Sequence, residues 1–191
     1  MCKDGARSKN IEKRNEHDDC LQTNALYKMT LSAAEFYKAI MQFVDLSRKC
    51  NDTWQVLEPD LHEMHKCFLK KEEFIKLIDG NFCKAEYIIF YNISYSVPSF
   101  SFNIWTSDGT LLSLEEIRHL APTVIKKEDF YSVVTQQEHP LFHRPYYIVH
   151  PCNTESILSA LCSSQNIILT FLSLITLIVK LDVDEYGKYI L

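Results

Sequence analysis

Glycine is scarce, with only four among 191 residues. Gly-rich loops that cradle phosphates therefore have little to draw on. A basic stripe is missing too. Lysine and arginine number 20 against 25 acids, and the closest basic runs, Lys70-Lys71 and Lys126-Lys127, are each followed by acids. A nucleic-acid partner, which needs clustered cations to neutralise phosphate, is not expected. No C-x-x-C occurs among the seven cysteines, whose number is odd and spacing irregular. That pattern fits reduced thiols rather than a disulfide scaffold. The first twenty residues are polar, lack an apolar run and carry several acids, which suits neither a secretory signal nor a mitochondrial transit peptide. A cytoplasmic location is the expectation. The longest apolar run, Ile167 to Val179, would rise about 20 Å as a helix, short of a ~30 Å hydrocarbon core. It reads as a buried helix, and no transmembrane anchor is expected.

Residues 1–26 read as a disordered polar tail and 182–191 as a flexible C-terminal tail, with one folded unit over 27–181. That unit opens with a capping box, Ser32-Ala-Ala-Glu35, followed by Phe36, Ile40, Phe43 and Val44 at helical spacing. Asn51-Asp52 ends this helix, and Trp54 to Leu57 suits a short strand. Residues 60–84 are ambiguous: Leu61 to Leu69 fits a strand, whereas Lys71 to Ile78 reads equally well as a helix. Glu86 to Tyr95 is aromatic and β-branched, Val97-Pro98 breaks it, and Ser99 to Thr106 alternates strictly. Asp108-Gly109 signals a turn. Ser113-Leu-Glu-Glu116 is a second capping box, opening a helix that ends near Pro122. A loop with several histidines follows, then an extended segment, Tyr146 to Val149. Asn153 or Thr154 caps a predicted helix to about Cys162, and a last apolar helix covers roughly 166–180. The order predicts an α+β fold, one antiparallel sheet covered by helices.

Cys152 is the main chemical candidate. His150-Pro151 precedes it and a predicted helix start follows it, so the positive end of the helix dipole favours the thiolate. Pro151 stiffens the approach. Such a cysteine can attack a carbonyl or take an acyl group by exchange. Two other readings compete. A metal could be held by His139, His143, His150 and Cys152, or by His62, His65 and Cys67, although neither set has the paired spacing of structural zinc. A Cys-His hydrolase would pair Cys152 with His119 or His139, without a Gly loop for an oxyanion hole. Cys162 reads as a packed core thiol. The aromatic stripe from Tyr87 to Trp105 is explained mostly by packing of a half-buried sheet; Tyr91, Asn92 and Tyr95 stand apart because one strand face must look outward.

At Thr135-Gln-Gln-Glu-His-Pro140, followed four residues later by Pro145-Tyr-Tyr-Ile-Val-His-Pro-Cys152, the chain resembles a known family. It is similar to the autophagy-related protein ten family of E2-like conjugating enzymes. Ser94-Tyr-Ser-Val-Pro98, the Asp108-Gly109 turn and Asn166 to Leu174 carry the resemblance further, over roughly 27–180 and most closely from 85 onward. The chain departs from the family where Phe142-His143-Arg144 replaces a Gly-containing linker, and in its C-terminal residues.

The resemblance implies a ubiquitin-conjugating core over 27–181 and no cofactor. Cys152 would accept a ubiquitin-like modifier, autophagy-related protein twelve, as a thioester from the E1-like autophagy-related protein seven. A lysine of autophagy-related protein five would then take it. His150 and Pro151 would position the loop. Ordinary E2 enzymes keep an HPN asparagine before the cysteine, but here the cysteine itself ends the motif. Asn92 and Tyr91 are therefore the candidates for oxyanion or lysine positioning, with Asn153 a further oxyanion candidate by side-chain type, and Tyr95 the candidate for partner binding. The alternatives are a non-catalytic E2-like interaction module, or the sister E2-like enzyme that lipidates its modifier.

Overall fold

A computed structural model describes residues 30–59, 62–77, 80–120, 127–151, 166–176, 178–179, 181, 183 and 186–187. Helix α1 (Ala33–Lys49) begins at the predicted capping box: Glu35 N donates to Ser32 Oγ at 3.2 Å, and Ser32 N donates to Glu35 Oε2 at 2.8 Å. These reciprocal bonds satisfy backbone donors that a helix start leaves orphaned. Phe36, Ala39, Ile40, Phe43 and Val44 then fall on one buried stripe. The helix stops at Cys50, and Asn51 turns the chain with a φ of 56°, a conformation asparagine tolerates better than most residues.

Six strands follow: β1 (Gln55–Leu57), β2 (Phe68–Lys76), β3 (Phe82–Asn92), β4 (Val97–Trp105), β5 (Val134–Glu138) and β6 (Pro145–Val149). A 3-10 turn, Met64–Lys66, separates β1 from β2. The strands form one antiparallel sheet in the order β1-β2-β3-β4-β6-β5. Helices α2 (Leu114–Leu120) and α3 (Lys127–Val133) lie between β4 and β5, and α4 (Ile167–Ile175) comes after β6. The α+β fold read from the sequence is the one observed.

Strand alternation divides the sheet into two sides. Leu69, Tyr87, Ile89, Phe100, Phe102 and Tyr147 join the stripe of α1 and the buried residues of α4 in the main core. On the opposite side Phe68, Ile88, Phe90, Tyr146 and Ile148 form a smaller cluster under Leu141 and Phe142 of the β5–β6 turn. Beside it the Glu86 carboxylate, 4% exposed, accepts from the Tyr146 hydroxyl and pairs with Lys70 Nζ at 2.6 Å and Arg144 Nη2 at 3.4 Å. These contacts bind β2, β3 and β6 together.

Four sequence expectations change. Lys71 to Lys76 is strand, not helix. Its alternation is masked because Lys71 points inward, where Asp52 at 2.9 Å and Glu73 at 3.1 Å neutralise it. Pro98 lies inside β4, and the chain reverses earlier, at Ile93 to Ser96. β6 pairs with β4 only from Phe100 to Phe102, so at Pro98 that ladder has not begun, a position proline tolerates. The histidine-rich loop contains α3 and β5. Tyr186, assigned to a flexible tail, is instead a core residue: it stacks on Phe43 with centroids 5.6 Å apart, and its hydroxyl donates to Asp52 Oδ2 at 2.7 Å.

The apolar run near the C-terminus is a helix of nine residues with Asn166 as its N-cap. Among the described residues no helix is long and apolar enough to cross a membrane. The predicted helix between 153 and 162 lies outside the described residues.

Candidate active site

The β3–β4 turn is tied down at both ends. Ser96 N donates to Asn92 O at 2.7 Å, and Tyr95 N donates to Asn92 Oδ1 at 3.2 Å, so a side-chain acceptor organises the turn from within. Ser96 has a φ of 55°. The segment leading into α1 holds the turn from outside: Leu31 N donates to Ser96 O at 2.7 Å, and the Tyr91 hydroxyl donates to Leu31 O at 2.6 Å. The Tyr91 ring packs on Phe36, 5.6 Å between centroids, which anchors the arrangement in the main core.

This turn meets the end of β6. The exposed ring of Tyr95 stands edge-on to His150 at 6.0 Å. His150 N donates at 2.7 Å to the carbonyl oxygen of Val133, the last residue of α3 and the one before β5, and Pro151 is buried. Backbone and ring contacts therefore fix the chain two residues before Cys152. Cys152 itself lies outside the described residues, as do Asn153 and Cys162.

The other sequence candidates separate clearly. Tyr91 does not offer its hydroxyl to a reaction, because that proton is donated to the Leu31 carbonyl. Asn92 spends its carboxamide oxygen on the turn, leaving the Nδ2 group as the part able to donate elsewhere. Tyr95 and His150 are brought together.

His139 is fully buried, its ring 4.6 Å from Phe90, 4.4 Å from Phe142 and 4.9 Å from Tyr146. Its Nδ1 accepts from Leu141 N at 3.1 Å, which puts the proton of the neutral ring on Nε2. Burial, helped by the charges of Arg144 and His143, pushes its pKa down to about 4. A ring enclosed in this way closes the β5–β6 turn and is not placed to serve a nucleophile. His119 is an exposed side chain 3.5 Å from Glu115, and His143 one 3.1 Å from Glu138. Among the described residues no three His, Cys, Asp or Glu side chains gather into a metal-holding group. Sequence reasoning missed the part played by Val133 and Leu31, whose backbone groups carry the contacts; their side chains give no signal of it.

An antiparallel sheet with helices around it makes this an α+β fold, and the sequence puts a cysteine two residues beyond His150 at the fixed strand end. A solved structure described as the crystal structure of autophagic E2, Atg10, matches this fold with a TM-score of 0.50 and 14% identity, over 78% of this chain and 94% of that one. The chain belongs to the family described as autophagocytosis associated protein, active-site domain, whose model matches residues 6–186. It is similar to the ubiquitin-like-conjugating enzyme ATG10 of Homo sapiens, 32% identical over 55% of this chain and 53% of the human protein. The same-named protein of Arabidopsis thaliana is 33% identical over 42% of this chain and 37% of its own length. The chain thus spans about half the length of the human relative, and less of the plant one.

Proposed function

We propose that the chain is an E2-like acyl carrier that holds a ubiquitin-like modifier, autophagy-related protein twelve, as a thioester on Cys152. Autophagy-related protein seven, E1-like, is its donor, and a lysine of autophagy-related protein five its acceptor. The observation that carries this reading is the family match, which runs through the His150-Pro151-Cys152 motif. The fixed approach to that motif supports it. A nucleophile presented at a constant position meets its partner's carbonyl with little orientational loss.

The chemistry needs two exchanges. The Cys152 thiol gives up its proton, and the thiolate attacks the carbonyl of the E1-bound thioester. A new C–S bond forms while the old one breaks, and the E1 thiolate leaves and is protonated. The lysine amine then attacks the same carbonyl. A C–N bond forms, Cys152 departs as thiolate, and the nitrogen loses its proton to solvent. Each step passes through an oxyanion. The Nδ2 group of Asn92 is the donor we assign to it, in place of the HPN asparagine of ordinary E2 enzymes. Tyr95 lies on the exposed side of the turn, where it meets the acceptor.

The test is loading with ATP, the E1-like enzyme and the modifier, resolved on gels with and without reductant. Wild type should give a reductant-sensitive adduct, Cys152→Ser a reductant-resistant oxyester, and Cys152→Ala neither. A folded wild-type chain that takes no modifier would falsify the reading. Tyr95→Ala should load normally and transfer at least tenfold more slowly; equal transfer would remove Tyr95 from the acceptor contact.

A further inference from the structure

The two edges of the sheet are built differently. β1, at one edge, has three residues, which follows the usual device of keeping an edge too short to template another strand. β5, at the other, has five, with Thr135, Gln136, Gln137 and Glu138 all exposed. It contains no lysine and no proline, the residues that commonly blunt an edge. Among the described residues no strand pairs with its outer side.

The register shows which backbone groups point outward. His150 N bonds Val133 O, and His139 N bonds Arg144 O at 2.9 Å. These pairs continue, by one position at either end, the β5–β6 register that runs from Val134 opposite Val149 to Glu138 opposite Pro145. Hydrogen-bonded and non-bonded pairs alternate in an antiparallel ladder. Residues 133, 135, 137 and 139 therefore bond toward β6. The N–H and C=O groups of Val134, Gln136 and Glu138 are directed away from the sheet.

Resting on the conjugation reading above, we infer that β5 is the docking strand for the extended C-terminal tail of the ubiquitin-like modifier, which adds to the sheet as a seventh, antiparallel strand. Three observations select this occupant. The edge begins beside the site, because Val133 is bonded to His150 and Cys152 follows two residues later. Its direction is right: β5 runs away from the site, so an antiparallel tail runs toward it and ends at Val134. Its length, about 17 Å for five residues, holds the last few residues of a tail and leaves the terminal carbonyl to reach past the edge. Such pairing takes its affinity from main-chain bonds, which suits the uncharged, exposed side chains of Thr135, Gln136 and Gln137.

Gln136→Pro tests the inference, since it removes an outward N–H at a position where an edge strand accepts proline. It is assayed for loading beside wild type, with thermal unfolding of both to show that it folds. Amide exchange on wild type is measured in parallel, with and without a peptide of the modifier's last eight residues. Expected are a loading rate at least tenfold lower for Gln136→Pro, and slowed exchange at Val134, Gln136 and Glu138 with the peptide. Equal loading by a folded Gln136→Pro, or peptide binding that protects none of those three amides, overturns the inference while leaving the conjugation reading intact. Normal loading with slowed transfer would give the strand to the acceptor instead and equally overturns it. A wild-type chain that never loads removes the conjugation reading beneath it.

Discussion

Phe100, Phe102 and Ile104 point from β4 into one side of the sheet, while Ser99, Ser101 and Asn103 point from the same strand into the other. The first side is packed by α1 and α4 and is apolar over most of its area. The second sets hydroxyls and a buried carboxylate among aromatic rings, and Ser99 Oγ, Ser101 Oγ and Asn103 Oδ1 have no hydrogen-bond partner among the described residues. The difference separates two ways of holding a sheet. Area removed from water stabilises the first side, roughly in proportion to its extent. The partners fixed around Glu86 stabilise the second, where one unmatched group costs more than a lost methylene.

Three substitutions separate these two modes. The largest effect is expected on the first side. Phe43, which meets Trp54 at 6.0 Å and Tyr186 at 5.6 Å, should cost about 3–5 kcal/mol as Phe43→Ala, read by urea unfolding.

Next comes His139 on the second side. Its folded pKa of about 4 lies below the ordinary imidazole value of 6.5, so the unfolded chain binds the extra proton. Stability from its neutral ring is therefore complete above about pH 6.5 and is lost as pH falls toward 4 and through it. The full loss approaches ~3 kcal/mol at 1.36 kcal/mol per pKa unit. Unfolding curves at pH 7 and pH 4 should differ accordingly, and His139→Phe should remove that part of the difference. A pH dependence unchanged in His139→Phe would assign it to other groups.

Glu86→Ala should have the smallest effect, about 1–3 kcal/mol, because Lys70 and Arg144 keep access to water when their partner is removed. A loss as large as that at Phe43 would show that the second side is as tightly sealed as the first.

Much of the first side was legible because apolar residues repeat there with the period of their element. Phe36, Ile40, Phe43 and Val44 mark α1, and the alternation of β4 marks its buried face. Both capping boxes were legible for a chemical reason: the serine three residues before a glutamate is itself the bonding partner. Ser113 and Glu116 show it again, with Ser113 N donating to Glu116 Oε2 at 2.8 Å. β2 was obscured by an inward lysine, which has no place in a hydrophobic pattern until Asp52 is known to lie beside it. β5 was missed because an edge strand exposed on both faces has no reason to alternate. At the site, the sequence singled out His150, Tyr95 and Asn92, all of which converge at the β3–β4 turn. It also offered His139 as a ligand or base; only the packing of Phe90, Phe142 and Tyr146 shows that this ring is enclosed. Nothing in a side-chain pattern announces that Tyr91 would bond a backbone carbonyl 60 residues away.

Tyr186 has a consequence for how the chain is made. Its bond to Asp52 spans 134 residues, and Asp52 also neutralises the inward Lys71. At 5–20 residues per second, a ribosome needs roughly 6–23 s to go from Lys71 to Tyr186. Throughout that interval Phe43 and Asp52 lack the ring that packs on one and the hydroxyl that bonds the other. The phenol then arrives on one face of Phe43 and closes a gap left open since that helix was made.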